Sequence, residues 1–586
     1  MPWYDRTMKF RRINWKKATH EIDPDEILID SSNLPQFNRS QFEGRLEQPI
    51  SRMTLLTVGG AFTIMAIVFL IQALNLQIVH GGDYRAQSQD NLLRPVPIFA
   101  SRGAIVDRNG IPLAWNAPAE TPTTSPNVIG ATSSPISGFA EDSVPQRMYA
   151  TTTGLSHVLG YVQYPTKDKN GFYYRNDFEG VAAAEKYYND RLTGQNGSRL
   201  AEVDARGKVI SESVVRPPQQ GETLHLSIDS VVQHGLFESI QKIASEYHFA
   251  SGAGVIMDVH TGEILAMTSY PEYSSQVMSD RTDQAAVRAE LSNPNLPFLD
   301  RAVDGLFTPG SIVKPYVAMG ALTEHVIDPN KIIYTTGSIS VPNPYDPTVV
   351  NVFRDWKNLG PLDIRHAIAM SSDAYFYTVG GGYKDQKGLG ITNINKYLSM
   401  FGFGEKIPES FVSGPAGNLS SPAWKLATFK ESWFLGDTYH SVIGQYGTQV
   451  TPAQVVRAVA TMANEGTLLV PTIIKGDGPQ VERVLNLPKA NFDIIHEGMR
   501  LGVMQGTTVA LNVPYVMVAA KSGTAELGAS KANVNSWITG FWPYDNPKFA
   551  FAVTLEHGSV HNLIGAAAAM RAQLDYMQLH TPQYFK

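Results

Sequence analysis

The sequence predicts an α+β protein tethered to a membrane by one helix. Three observations carry this. An uncharged apolar run lies near the amino end, strand-and-turn signals fill the region from about residue 80 to 220, and strands at both ends of the remaining chain bracket a helical middle. At 586 residues the chain exceeds what a single hydrophobic core supports, so several domains are expected. An apolar fraction of 43% beside a charged fraction of 17% belongs to a folded chain, not a disordered one.

The run Met53 to Ile71, MTLLTVGGAFTIMAIVFLI, carries no charge, and the uncharged stretch continues to Val79. As a helix, nineteen residues reach roughly 28 Å, close to the hydrocarbon thickness of a bilayer. Residues 53–79 are therefore read as a transmembrane anchor, with 1–52 as a mobile tail. Arg39, Arg45 and Arg52 precede the run closely, whereas only Arg85 follows it closely. The bias places the amino end in the cytoplasm and everything after the anchor outside it.

Residues 80–220 form the second expected domain. Arg102 to Asn116 holds two apolar segments around Arg108-Asn109-Gly110, a hairpin signal. Ala117 to Gly138 is rich in Pro, Ser, Thr and Gly and reads as a loop. A helix is expected over Phe178 to Leu192, then short strands over Ala201 to Val215. Residues 221–586 form the third. Thr223 to Ile228 alternates like a strand, Asp229 can cap the helix after it, and Ser251 to Tyr270 is a hairpin turning at His260-Thr261-Gly262. Helices dominate to about residue 510. Strands return at Tyr515 to Ala520, Asn535 to Trp542 and Phe549 to Leu555, before a last helix from about Gly565 to Met577.

Composition excludes several chemistries. A net charge of -6, with its one basic cluster in the first twenty residues, gives no surface for nucleic acid. The absence of cysteine excludes disulfides, thiolate metal sites and a cysteine nucleophile. The fourteen histidines are scattered without metal-ligand spacing, and there is no phosphate loop, so neither metal nor cofactor is expected.

Three short motifs carry candidate chemistry. In Thr308 to Lys314, TPGSIVK, a cap at Thr308 and an early proline place Ser311 in the first turn of a helix with Lys314 on the same face. A serine needs a neighbour to take its proton, and a buried lysine whose ammonium is disfavoured can be that neighbour. Ser371-Ser372-Asp373 follows an apolar helical run. Lys521-Ser522-Gly523-Thr524 follows the strand that ends at Ala520, where it offers a cation, hydroxyls and an open backbone edge to an extended peptide. A Ser-x-x-Lys alone arises by chance roughly twice in a chain of this size. Three motifs in this order do not.

Together they resemble the Ser-x-x-Lys, Ser-x-Asn and Lys-(Ser/Thr)-Gly signature of serine transpeptidases and β-lactamases. More of the chain is similar to class B penicillin-binding proteins, the monofunctional peptidoglycan transpeptidases. The anchor, the Arg102-Gly103 hairpin, Glu185 to Tyr188 ahead of Leu192-Thr193-Gly194, Pro309-Gly310-Ser311, Ile443-Gly444-Gln445 before Thr451 to Gln454, and Trp537 to Trp542 all have counterparts there. The resemblance implies a β-rich pedestal over 80–220 and, over 221–586, a transpeptidase domain with a central antiparallel sheet between helices. It also implies a catalytic set of Ser311, Lys314, Ser371, Asp373 and Lys521, with substrate held by Ser522, Gly523 and Thr524. Stem peptides of peptidoglycan would be substrates, β-lactams would acylate Ser311, and a membrane glycan polymerase of the RodA or FtsW type would be a partner in the bacterial cytoplasmic membrane. Ser-x-Asp followed by Tyr-Phe-Tyr resembles the elongation branch.

A β-lactamase or β-lactam sensor, and an idle scaffold that activates a polymerase, share parts of this pattern and stay open. So does the role of Asp373, where Asn is commoner. An ionised carboxylate beside Lys314 would favour its ammonium, so Asp373 is either turned toward another donor or part of a proton-sharing group. Asp300 also replaces a usual Asn, without explanation from sequence.

Overall fold

A computed structural model of the chain describes residues 52–82, 84, 93–117, 144–167, 173–203, 209–343, 346 and 348–586. Residues 1–51 of the tail expected over 1–52, and 118–138 of the loop expected over Ala117 to Gly138, lie outside the described residues. The chain divides into two compact units, 1–91 and 92–586.

In the first unit, helix α1 (Arg52–Leu74) continues through a π-helical stretch, Asn75–Val79. Its apolar side chains are exposed, among them Phe62 at 69% and Leu70 at 65%, as suits a helix whose solvent is lipid. Thr57 and Thr63 donate their hydroxyls to Met53 O (2.9 Å) and Gly59 O (2.8 Å), which satisfies them inside the helix.

The second unit begins with strands β1 (Leu93–Ile98), β2 (Ile105–Val106), β3 (Pro112–Ala117), β4 (Gln146–Tyr149), β5 (Gly197–Val203), β6 (Val209–Arg216) and β7 (Leu224–His225). They make two small sheets, β1–β5–β6 and β7–β2–β3–β4. The β2–β3 hairpin is the one its turn residues predict. The helix expected over 178–192 is broken: Glu179–Gly180 pair with Val162–Gln163 as strands, and two short turns follow, Ala183–Tyr187 and Asn189–Leu192. This break carries Glu185 inward. Its carboxylate takes Arg102 Nε at 2.5 Å and Arg147 Nε at 2.8 Å, all three side chains being wholly buried. Arg102 also donates to Thr193 Oγ1 at 2.8 Å. Three segments that sequence leaves separate are thus joined by one carboxylate. Removing one member of such a set strands buried charge, so Glu185→Gln is expected to cost about 3–5 kcal/mol in chemical denaturation. A loss under about 1 kcal/mol would mean the guanidinium groups find other partners.

Asp107, buried in the β2–β3 turn, accepts from Asn109 N and Ile111 N at 2.8 Å each and from Ser230 Oγ at 2.8 Å. This ties the small sheets to helix α2 (Ser230–Glu246), whose first turn Asp229 caps through Val231 N (3.0 Å) and Val232 N (3.2 Å). Beyond it come β8 (Ser251–Asp258), β9 (Ile264–Tyr270), α3 (Lys314–Thr323), α4 (Ile364–Ala369), α5 (Asp373–Gly381), α6 (Pro452–Ala463), α7 (Lys489–Gln505), β10 (Ala519–Leu527), β11 (Asn533–Trp542), β12 (Phe549–Ser559) and α8 (Ala566–His580).

The five long strands form one antiparallel sheet in the order β9–β8–β12–β11–β10. Strand period 2 splits their side chains between two cores. Val255, Met257, Trp537 and Phe541 face α6, every residue of which is buried. Ile256, Ile538, Phe551 and Val553 face α2 and α8. A sheet covered on both sides reads as near-continuous apolar sequence, which is why Val255 to Met257 in β8 and Phe549 to Val553 in β12 run apolar without alternation. The layering leaves β10 at the sheet edge, where α7 packs against it, with α3 and α4 packed on α7 and α5 on α3.

Candidate active site

Ser311 sits one step earlier in the fold than its motif suggests. It lies on a 3-10 turn, Gly310–Val313, and α3 starts only at Lys314. Thr308 is not the cap. Pro309 holds that position, and the Thr308 carbonyl accepts from Trp537 Nε1 at 3.0 Å instead. The turn must nest on the sheet edge, and this decides the local conformation. Gly310 has φ +59°, and a Cβ there would lie 2.8 Å from Thr524 O. A Cβ on Gly523 would meet Ile312 Cγ2 and Pro309 O at 2.8 Å. Behind the turn, Gly310 N donates to Gly444 O at 3.0 Å, which gives Ile443-Gly444-Gln445 its place.

The third motif is not the polar end of a strand. Lys521, Ser522, Gly523 and Thr524 all lie inside β10, paired in register with Thr539, Ile538, Trp537 and Ser536 of β11. The Lys-Ser-Gly-Thr run reads as a turn because its residues are polar or small. Pairing to a buried neighbour strand overrides that preference. Alternation then sorts the side chains: Lys521 is buried, whereas Ser522 is half-buried and Thr524 exposed. Ser522 Oγ shares a hydrogen bond of 2.7 Å with Thr507 Oγ1, a residue without any sequence signal.

The middle motif sits between α4 and α5. Ser371 has φ +55°, a left-handed conformation disfavoured for a side chain with a Cβ. Ser372 caps α5 by accepting from Tyr375 N at 3.2 Å. This backbone aims Ser371 Oγ between two lysines, with Lys521 Nζ at 2.7 Å and Lys314 Nζ at 3.4 Å. Lys314 Nζ also donates to Ser371 O at 2.7 Å and pairs with Asp373 Oδ1 at 2.5 Å. The structure therefore turns Asp373 toward Lys314. None of the Lys314 hydrogen bonds goes to Ser311 Oγ, so the direct Ser311–Lys314 bond that helical spacing suggests is not made in this state.

Both lysines are buried. Burial, reinforced by the neighbouring Lys314 charge and opposed by Asp373, pushes the Lys521 ammonium well below its ordinary range. The site thus pairs Lys314 with Asp373 and joins that couple, through one serine hydroxyl, to a second lysine whose ammonium burial disfavours. Asp300 is also explained locally. Its Oδ1 accepts from Ala302 N at 3.0 Å, a bond an Asn carbonyl makes equally well, and it stiffens the chain leading to Ser311. Burial, with Asp304 next in effect, raises its carboxyl to about 7.

Two family models match the chain: a penicillin binding protein transpeptidase domain over residues 252–574 and a penicillin-binding protein dimerisation domain over 127–226. Peptidoglycan D,D-transpeptidase MrdA of Escherichia coli is 30% identical, with 87% of this chain and 92% of the relative aligned. Among solved structures, penicillin-binding protein 2 of Helicobacter pylori, determined with MreC, superposes with a TM-score of 0.65 at 26% identity, covering 83% of this chain and 99% of that one. A chain of a peptidoglycan synthase complex that coordinates polymerization and crosslinking superposes with a TM-score of 0.67 at 25% identity, covering 90% and 98%. With its three motifs meeting at one sheet edge, and with relatives that align along most of its length, the chain belongs to the penicillin-binding protein transpeptidase family.

Proposed function

We infer that the protein is a membrane-anchored peptidoglycan D,D-transpeptidase of the penicillin-binding protein 2 type, a serine acyltransferase that crosslinks stem peptides in cell elongation. The observation that carries this is the convergence of Ser371, Lys314 and Lys521 on one another beside Ser311 and the edge strand β10. In the proposed reaction an extended donor peptide lies along β10, its terminal carboxylate on the hydroxyls of Ser522 and Thr524 and the backbone of Gly523. Ser311 Oγ attacks the carbonyl of the bond between the last two D-residues. Backbone N–H groups of Ser311 and Thr524 receive the developing oxyanion.

The proton needs a path. Lys314 begins with Asp373 at its amine, and Ser371 Oγ links it to Lys521. Lys314 must present a free amine to take the proton of Ser311, and the Ser371 hydroxyl links that amine to Lys521 as a second place for a proton. The same wire returns a proton to the departing D-alanine amine as the C–N bond breaks and the Ser311 ester forms. An amine from a second stem peptide then attacks the ester, its surplus proton going back to Ser311.

The chain is proposed to divide into a cytoplasmic tail (1–52), an anchor (53–79), a pedestal (80–220) and an extracytoplasmic transpeptidase domain (221–586). A membrane glycan polymerase of the RodA or FtsW type is the proposed partner, supported by the synthase-complex neighbour. Neither the site nor the relatives favour the hydrolase, sensor or scaffold readings. Exposure of the full-length protein to a labelled penicillin, followed by peptide mass spectrometry, is expected to place one adduct on the peptide containing Ser311. An adduct elsewhere, or none, would overturn the assignment.

A further inference from the structure

The link from Lys314 through Ser371 to Lys521 runs through one strained residue. Ser371 reaches both lysines from a left-handed backbone, at φ +55°. Such a conformation persists only where the surroundings over-determine it. The hydrogen bonds around it show what does so. Asp355, sixteen residues upstream, accepts through Oδ2 from both Ser372 Oγ (2.6 Å) and Ala374 N (3.0 Å), one residue and three residues past Ser371. On the other side, the indole of Trp356 donates to Met370 O at 3.1 Å, the residue just before Ser371. Asp355 is itself held, its N–H donating to Gly337 O at 2.8 Å and its Oδ1 accepting from Trp356 N at 2.8 Å.

We propose that Asp355, with Trp356, is a positioning residue for the transpeptidase reaction: the pair grips the chain on both sides of Ser371 and fixes the turn that inserts its hydroxyl between Lys314 and Lys521. Among the described residues, Asp355 makes its hydrogen bonds with Gly337, Trp356, Ser372 and Ala374 and with no lysine. It acts through Ser372, whose hydroxyl donates to Asp355 while accepting from Tyr375 N, so one hydroxyl joins the grip to the cap of α5. A carboxylate at this place also faces the N–H end of a nine-residue helix, where negative charge is favoured. Asparagine would keep the volume but offer one acceptor oxygen in place of two, and its amide would confront a donor.

The inference rests on the site assignment made above, and the experiment separates the two. Stopped-flow acylation of the full-length protein by a fluorescent penicillin resolves the noncovalent dissociation constant from the acylation rate constant. Asp355→Asn is expected to lower the rate constant by 10-fold or more, about 10–100-fold, while the dissociation constant stays within about 3-fold. Ser372→Ala, which removes one of the two bonds and leaves the carboxylate in place, is expected to lower the rate constant by about 5–10-fold. The double variant should be no slower than Asp355→Asn alone, since both break one link. A folded Asp355→Asn or Ser372→Ala whose acylation rate constant lies within 3-fold of the parent would overturn the proposal. A change confined to the dissociation constant would do so too. If Asp355→Asn does not fold, Ser372→Ala decides by itself. A parent that is not acylated at Ser311 would overturn the site assignment and this inference together.

Discussion

Ser311→Ala is expected to abolish covalent labelling by penicillin and to lower crosslinking by at least about 10⁴-fold, with the melting temperature nearly unchanged. Loss of a nucleophile in an acyl-enzyme mechanism removes the covalent route entirely, and what survives comes from substrate binding and the oxyanion site. The side chain is only partly buried and sits on a turn held by backbone contacts, Gly310 N to Gly444 O on one side and the close approach of Gly310 to Thr524 on the other. Deleting one hydroxyl there leaves no cavity and no stranded buried partner. The measurement is paired: gel fluorescence for the adduct, and muropeptide analysis of crosslinks made by the purified protein with its polymerase. Residual labelling at the parental rate would point to another nucleophile.

Lys521→Met is expected to lower acylation by about 10²–10⁴-fold and, unusually for a buried substitution, to raise the melting temperature at neutral pH. Its amine makes two bonds, to Ser371 Oγ and to Ser522 O, each 2.7 Å. Burial and the Lys314 charge hold its ammonium well below 10.5 in the fold, against the pull of Asp373. Between the depressed value and 10.5 the unfolded chain therefore binds more protons at this residue than the native one. Stability is full above 10.5 and is lost as pH falls through that window. A neutral side chain of similar length removes the loss, so the variant should melt higher at pH 7 and show a flatter rise of melting temperature toward pH 10. A lower melting temperature at every pH would mean that the two lost hydrogen bonds outweigh the relieved charge.

Much of the fold follows from local chemistry. Apolar continuity without charge gives α1, a carboxylate before an amphipathic run gives the Asp229 cap, and glycine-marked turns give the β2–β3 and β8–β9 hairpins. Where sequence and structure part, a distant neighbour overrides a local preference. Residues 178–192 break because Glu185 must reach two arginines, and Lys521 to Thr524 stay extended because β11 pairs with them throughout. Thr308 is not the cap, a place taken by Pro309, and its carbonyl instead accepts from the distant Trp537 indole.

The identities of the proposed reacting groups are written in the sequence, since a candidate nucleophile, two lysines and a paired serine and carboxylate are properties of residue type and short spacing. Their relations are not. Lys314 and Ser371 are 57 residues apart and Ser371 and Lys521 150, so which amine meets which oxygen depends on how five strands close into one sheet. Asp373 shows the difference most plainly. The sequence poses the question of an acid beside Lys314, and only the left-handed Ser371, held from Asp355 and Trp356, turns that acid onto the amine. Backbone conformation at one residue sets side-chain direction at the next two, and that conformation is stabilised by contacts that no local stretch of chain contains.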